Sequence, residues 1–134
     1  MKYKIGVDVD SVLRDFPGDI VDVIKREHPS YYDEEKLFEE SPNRFVPNIW
    51  EMEKCFNATK EQINQVYWHD YTSEIMGNGT PIEENVSYLK KLLEESEHTF
   101  VCVTSQKEHA RYHTLNWLGQ QGLNFETVYF RKSA

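Results

Sequence analysis

"TFVCVTSQKEHARYHTLNWLGQQGLNFETVYF", Thr99 to Phe130, decides the fold. Thr99 to Val103 is a short, almost wholly apolar run of the kind buried on both faces of a parallel sheet. Ser105 and Glu108 then have the spacing of a capping box, which predicts a helix through Ala110, Trp117 and Leu118 to Gly122, a natural C′ residue. Thr127 to Phe130 reads as a further strand. Strand, helix and strand at this spacing make a βαβ unit with a right-handed crossover, so the sheet is parallel and helices cover its faces.

Upstream, Thr80 and Glu83 form a second box with Pro81 at the first helical position, ahead of an apolar stripe of Ile82, Val86, Leu89 and Leu93. At the N-terminus, "YKIGVDV" alternates Ile5, Val7 and Val9 and predicts a first strand ending near Asp8. Pro17 opens a helical stretch with Ile20, Val21 and Ile24 on one side and Pro29 just past its end. Tyr31 to Asn57 is irregular and carries Pro42, Pro47 and many aromatics, which predicts only short helices. In "TKEQINQVYWHDY", Thr59 and Gln62 make another capping box, followed at helical spacing by Ile63, Val66, Tyr67 and Tyr71. "MGNGTP" then breaks the chain.

About 70 residues without a strand, inside a βαβ protein, are most economically an inserted helical cap. The expected architecture is a three-layer, Rossmann-like α/β core of residues 1–15 and 79–134, with a helical cap at residues 16–78.

At 134 residues the chain is one domain by length and can bury roughly two thirds of the surface its unfolded form exposes. Its 39% hydrophobic and 28% charged residues are ordinary globular values. The net charge of -8, from 23 acids and 15 bases, argues against sequence-independent binding to a nucleic acid duplex, which needs a basic stripe. It leaves room for a small anion in a locally positive pocket. Cys55 and Cys102 belong to no CxxC pattern, and Cys102 reads as a buried reduced thiol. No apolar run approaches the ~18 residues of a membrane span, and the N-terminus enters a strand rather than a signal peptide, so a cytoplasmic, membrane-free protein is expected.

In open parallel sheets ligands lie at the carboxyl ends of the strands, where Asp8 and Asp10, Thr104 and Ser105, and Arg131 and Lys132 all fall. Two crowded carboxylates are costly unless a cation, a proton or a reaction uses them. With a hydroxyl and an amine at the same rim they suit phosphoryl transfer. One carboxylate attacks phosphorus, a second acid manages the leaving-group proton, a hard cation such as Mg²⁺ offsets the charge, and hydroxyl and ammonium hold phosphate oxygens.

"DVDSVLRDF" resembles the first motif of the haloacid dehalogenase superfamily of phosphatases, and in particular of its 5′(3′)-deoxyribonucleotidase branch. "VCVTSQ" is similar to that branch's second motif, "HTLNWL" to the helix segment after it, and the long insert matches the helical cap in place. The resemblance implies that Asp8 is the nucleophile and Asp10 the general acid/base, that the Asp8 side chain and the Asp10 carbonyl bind Mg²⁺, and that Thr104 and Ser105 hold phosphate with Lys132 as the third-motif lysine. The substrate it implies is a small phosphomonoester of the deoxynucleoside monophosphate kind.

Two departures accompany it. Ser11 stands where the family has Gly, and no acidic pair of the fourth motif follows Lys132 before Ala134. A homo-oligomer or a partner chain supplying that acidic strand, one part of a split enzyme, and an inactive phosphatase-like binding or regulatory subunit all fit that ending. A phospho-accepting receiver domain fits poorly, because neither later strand ends in Asp.

Other residues have structural readings beside functional ones. An N-cap alone accounts for Ser105, and a strand end for Thr104. His109 and His113 have i, i+4 spacing but no third zinc ligand at a recognisable distance, so an exposed helix face is expected. Tyr31, Tyr32, Phe45, Trp50, Phe56, Tyr67 and Trp68 are expected mostly as cap core, while Arg44 is the cap residue expected to touch substrate.

Overall fold

The computed structural model describes residues 1–41 and 51–131. Its first strand, β1 (Lys4–Val7), half-buries Ile5 and Val7 and exposes Lys4 and Gly6. A tight loop leads to α1 (Phe16–Glu27), which starts where expected: Pro17 lies in the first turn and the Asp15 carboxylate accepts from Gly18 N at 3.2 Å. Ile20 and Ile24 are fully buried on its inner side. A 3₁₀ turn (Pro29–Tyr31) and α2 (Glu34–Glu40) follow, the latter capped by Asp33.

After a second 3₁₀ turn (Met52–Cys55), α3 (Lys60–Gln65) opens with the expected box, since the Thr59 hydroxyl accepts from Gln62 N and the Gln62 side chain from Thr59 N. The helix then widens into π turns at Val66–Asp70 and Ser73–Gly77 rather than running on to Tyr71 as α-helix. The Thr72 hydroxyl donates to the Tyr67 carbonyl at 3.0 Å across that wider turn.

Two expected capping boxes do not form. α4 (Glu83–Glu95) starts after Ile82 with no side-chain cap. Thr80 instead gives its hydroxyl and its N–H to the Asp19 carboxylate at 2.7 and 2.8 Å, a charged acceptor on α1 that outcompetes a local cap. Pro81 is therefore outside the helix, in an extended segment bonded to the loop after β1 through Asp15 N to Thr80 O and Ile82 N to Leu13 O. Ser105 likewise belongs to β2 (Thr99–Ser105), and α5 (Arg111–Gln120) begins only after a 3₁₀ turn at Glu108–Ala110. Gln106, drawn inside to 1% exposure, keeps the chain out of helix there. Gly122, at φ 70°, ends α5 as expected, and β3 (Val128–Arg131) completes the chain described.

The described strands form one parallel sheet in the order β1-β2-β3, with Val7 opposite Cys102, Cys102 opposite Val128 and Thr104 opposite Phe130. Both strand-to-strand crossovers step in the same direction, and like-handed crossovers put α4 and α5 on one face. There Val86, Leu89, Trp117 and Leu118 pack with Phe100 and Cys102. That apolar desolvation pushes the Cys102 thiol up to about 12, so it stays a thiol.

The opposite face carries exposed Lys4, Gly6, Tyr129 and Arg131, and its buried Val101 joins neither apolar cluster among the described residues. Val103 on that face is half-buried, so the middle strand is shielded on both of its faces. A second cluster is built mainly from the helical stretch between β1 and α4: Phe16, Ile20, Ile24, Leu37, Phe56, Ile63 and Val66 are buried, with Tyr31, Tyr32, Tyr67 and Trp68 packed against them and Ala110 joining from beyond β2. These aromatics are core, as expected. Among the described residues no helix is long and apolar enough to cross a membrane.

Candidate active site

Asp8 and Asp10 follow β1 at its carboxyl end, and the loop that holds them is wound on one carbonyl. Val9 O accepts from the N–H groups of Val12, Leu13 and Arg14 at 3.3, 2.7 and 3.0 Å. The turn requires a left-handed residue, and Ser11 supplies it at φ 66°. Glycine meets that requirement without steric cost, which is the physical content of the Gly-to-Ser departure.

The loop makes the two carboxylates unequal. Asp8 is exposed, and the hydrogen bond it accepts among the described residues comes from Val9 N at 2.8 Å. Asp10 is tucked in. Its Oδ1 lies 2.8 Å from both Nε and Nη2 of Arg14, and its Oδ2 lies 3.5 Å from the Gln106 side-chain nitrogen. Burial pushes the Asp10 carboxyl above its ordinary value; the Arg14 guanidinium pulls the other way, and the nearby Asp8 charge adds to the rise. One acid is thus free to react in water, while its neighbour is biased toward holding a proton.

Val7 and Cys102 are register partners, so the Asp8–Asp10 loop and the Thr104–Ser105 end leave the sheet side by side. Thr104 is 2% exposed beside Phe130, and Ser105 is exposed beside Arg131. The structure therefore brings Asp8, Asp10, Thr104 and Ser105 to one edge. Lys132 and Arg44, with Phe45 and Trp50, lie outside the described residues. His109 and His113 do not act as a pair on one helix. His109 sits in the 3₁₀ turn, stacks on His69 and donates its Nε2–H to the Trp68 carbonyl, whereas His113 packs at Gly77.

Hard oxygen donors suited to Mg²⁺ are present in the Asp8 carboxylate and the Asp10 carbonyl. The Asp10 carboxylate is already engaged by Arg14, so this residue fits the ion through its main chain. No group of three His, Cys, Asp or Glu side chains gathers among the described residues.

Three residues of the site escaped the sequence reading: Arg14, Gln106 and Thr114. All are buried and polar, and the Thr114 hydroxyl donates to the Gln106 side-chain oxygen at 2.6 Å while accepting from Arg14 Nη1 at 3.2 Å. The one available signal was a charged residue inside the apolar frame "VLRDF".

No protein-family model matches the chain, and no curated protein matches it either.

Proposed function

We propose that this chain is a Mg²⁺-dependent phosphatase of the haloacid dehalogenase type, with a core of residues 1–15 and 79–134 and a helical cap at 16–78, acting on a small phosphomonoester such as a deoxynucleoside monophosphate. The observation that carries the reading is the unequal acid pair at the end of β1, one exposed, the other half-buried against Arg14 with its carboxyl pushed up. In the first step an Asp8 oxygen attacks phosphorus, the bond from phosphorus to the leaving oxygen breaks, and Asp10 gives that oxygen its proton. In the second, water attacks the phosphorus of the Asp8 acyl phosphate, Asp10 takes the water's proton, and inorganic phosphate leaves with the Asp8 carboxylate restored. Mg²⁺, held by the Asp8 side chain and the Asp10 carbonyl, would supply charge neutralisation for the phosphoryl oxygens. Thr104, Ser105 and Lys132 are assigned to the phosphate, and Arg44 to the remainder of the substrate.

A second reading has a specific observation in its favour. The Asp10 ion pair with buried Arg14 is a stable structural contact, as expected of a phosphatase-like subunit that binds without turnover. Phosphate release from an aryl phosphate with Mg²⁺, measured beside Asp8→Asn, separates the two. Turnover by the parent that the variant lacks supports the enzyme, and phosphate-analogue binding without turnover by either supports the binding subunit.

A further inference from the structure

Arg14 is fully buried while carrying a charge, and separate segments converge on it. Asp10 meets its Nε and Nη2; the Met76 carbonyl at the end of the insert accepts from Nη1 at 2.6 Å; and the Thr114 hydroxyl of α5 accepts from the same nitrogen at 3.2 Å. The guanidinium carbon lies 5.3 Å from the ring centre of Trp117, whose own Nε1 donates to the Gly79 carbonyl at 2.8 Å. Gly79 is part of the fit, since a Cβ there would come within 2.6 Å of Arg14 Cδ and 2.5 Å of the Ile75 carbonyl. Gln106 closes the ring by joining Thr114 to the second oxygen of Asp10.

Burying a guanidinium costs several kcal/mol of solvation, and an apolar side chain of the same volume often serves stability as well or better. The charge therefore does something that packing alone does not require. Its contacts hold the Oδ1 oxygen of Asp10 and, through Nη1 of the same guanidinium, the segment Met76–Gly79 by which the insert returns to the sheet; the second Asp10 oxygen is met by Gln106.

We propose that Arg14 is a positioning residue that locks the Asp10 carboxyl to the exit segment of the insert, so that Asp10 is held for proton transfer only while that segment is docked. The catalytic half of this inference rests on the phosphatase reading; the mechanical half does not. Arg14 reaches no substrate in this arrangement, so its effect falls on the reacting geometry rather than on binding.

The test uses Arg14→Lys, which keeps the charge but loses the fork, and Thr114→Val, which leaves Arg14 and Asp10 in place and removes one hydroxyl of the ring. Two measurements are made on the full chain. Amide exchange of residues 76–79 should quicken by about tenfold in Arg14→Lys, the scale of one lost hydrogen bond to a charged group, and by less in Thr114→Val, while β2 keeps its protection. On an aryl phosphate with Mg²⁺, kcat of Arg14→Lys should fall about 10- to 100-fold, the cost of a misplaced catalytic group, with KM within about twofold. Unchanged exchange at 76–79 in both folded variants overturns the proposal, as does exchange that quickens evenly through β2, or a fully retained kcat in Arg14→Lys. Should the parent itself not turn over, the phosphatase reading falls alone, and the exchange result still decides whether Arg14 locks the two segments.

Discussion

Asp8 and Asp10 stand two residues apart, yet the loop gives them different chemistry, because one side chain turns to water and the other to Arg14. This contrast was half legible in the sequence. Two acids framed by "GV" and "VL" marked the position, but which acid would turn inward depended on Arg14, Gln106 and Thr114, brought together from three separate segments with no periodic signal. Ser11 allows a test of the loop itself. A left-handed non-glycine residue costs about 1–2 kcal/mol, and glycine loses about 0.5–1 kcal/mol more than alanine through its unfolded-state freedom, so Ser11→Gly should stabilise the fold by up to about 1.5 kcal/mol. The urea midpoint should move up, and a downward shift would show that the Ser11 side chain contributes more to the loop than its backbone strain removes.

Capping boxes make the same point at the scale of elements. Three were read with equal local logic, and only that of Thr59 and Gln62 formed, because Thr80 found the Asp19 carboxylate and Ser105 remained in a strand extended by buried Gln106. Local spacing reports what a segment offers, and tertiary partners decide what it does. Thr59→Ala should therefore cost about 1 kcal/mol of stability, whereas Ser105→Ala, removing a hydroxyl that caps nothing, should stay within about 0.5 kcal/mol; comparable losses for both would contradict the assignment. Thr80 and Asp19 add a pH dependence. Burial lifts the Asp19 carboxyl above its ordinary 3.8, against the hydrogen bonds from Thr80, with the Asp15 and Asp22 charges adding to the rise. The folded state then holds this proton more tightly than the unfolded one, so the contribution favours folding below about pH 4 and is lost as pH rises through the folded-state value. Asp19→Asn removes it, and thermal melts from about pH 4 to about pH 7 should show a shallower loss of stability than the parent; an equal or steeper loss would contradict this.

On the scale of the whole molecule, the strand-helix-strand unit, the parallel pairing and the two apolar clusters follow from hydrophobic patterning that a single chain displays openly. What was not legible is the loss of the second and third capping boxes to tertiary partners and the widening of the helix after Gln65 into π turns, because neither leaves a periodic signal. Under the proposed function, chemistry falls to the strand ends and selectivity to residues 16–78. Arg44→Ala should accordingly change relative rates among nucleotide substrates more than the rate on a featureless aryl phosphate, and equal losses on both would move selectivity elsewhere. The central claim is that Asp8 attacks phosphorus, and its most direct test is release of inorganic phosphate from an aryl phosphate, with Mg²⁺, by the parent, Asp8→Asn and Asp10→Asn. The predicted result is turnover by the parent, a loss of about 10²- to 10⁴-fold in Asp10→Asn, and none in Asp8→Asn, which should stay folded because Asp8 is exposed. Phosphate release by Asp8→Asn at the parent's rate would contradict the account.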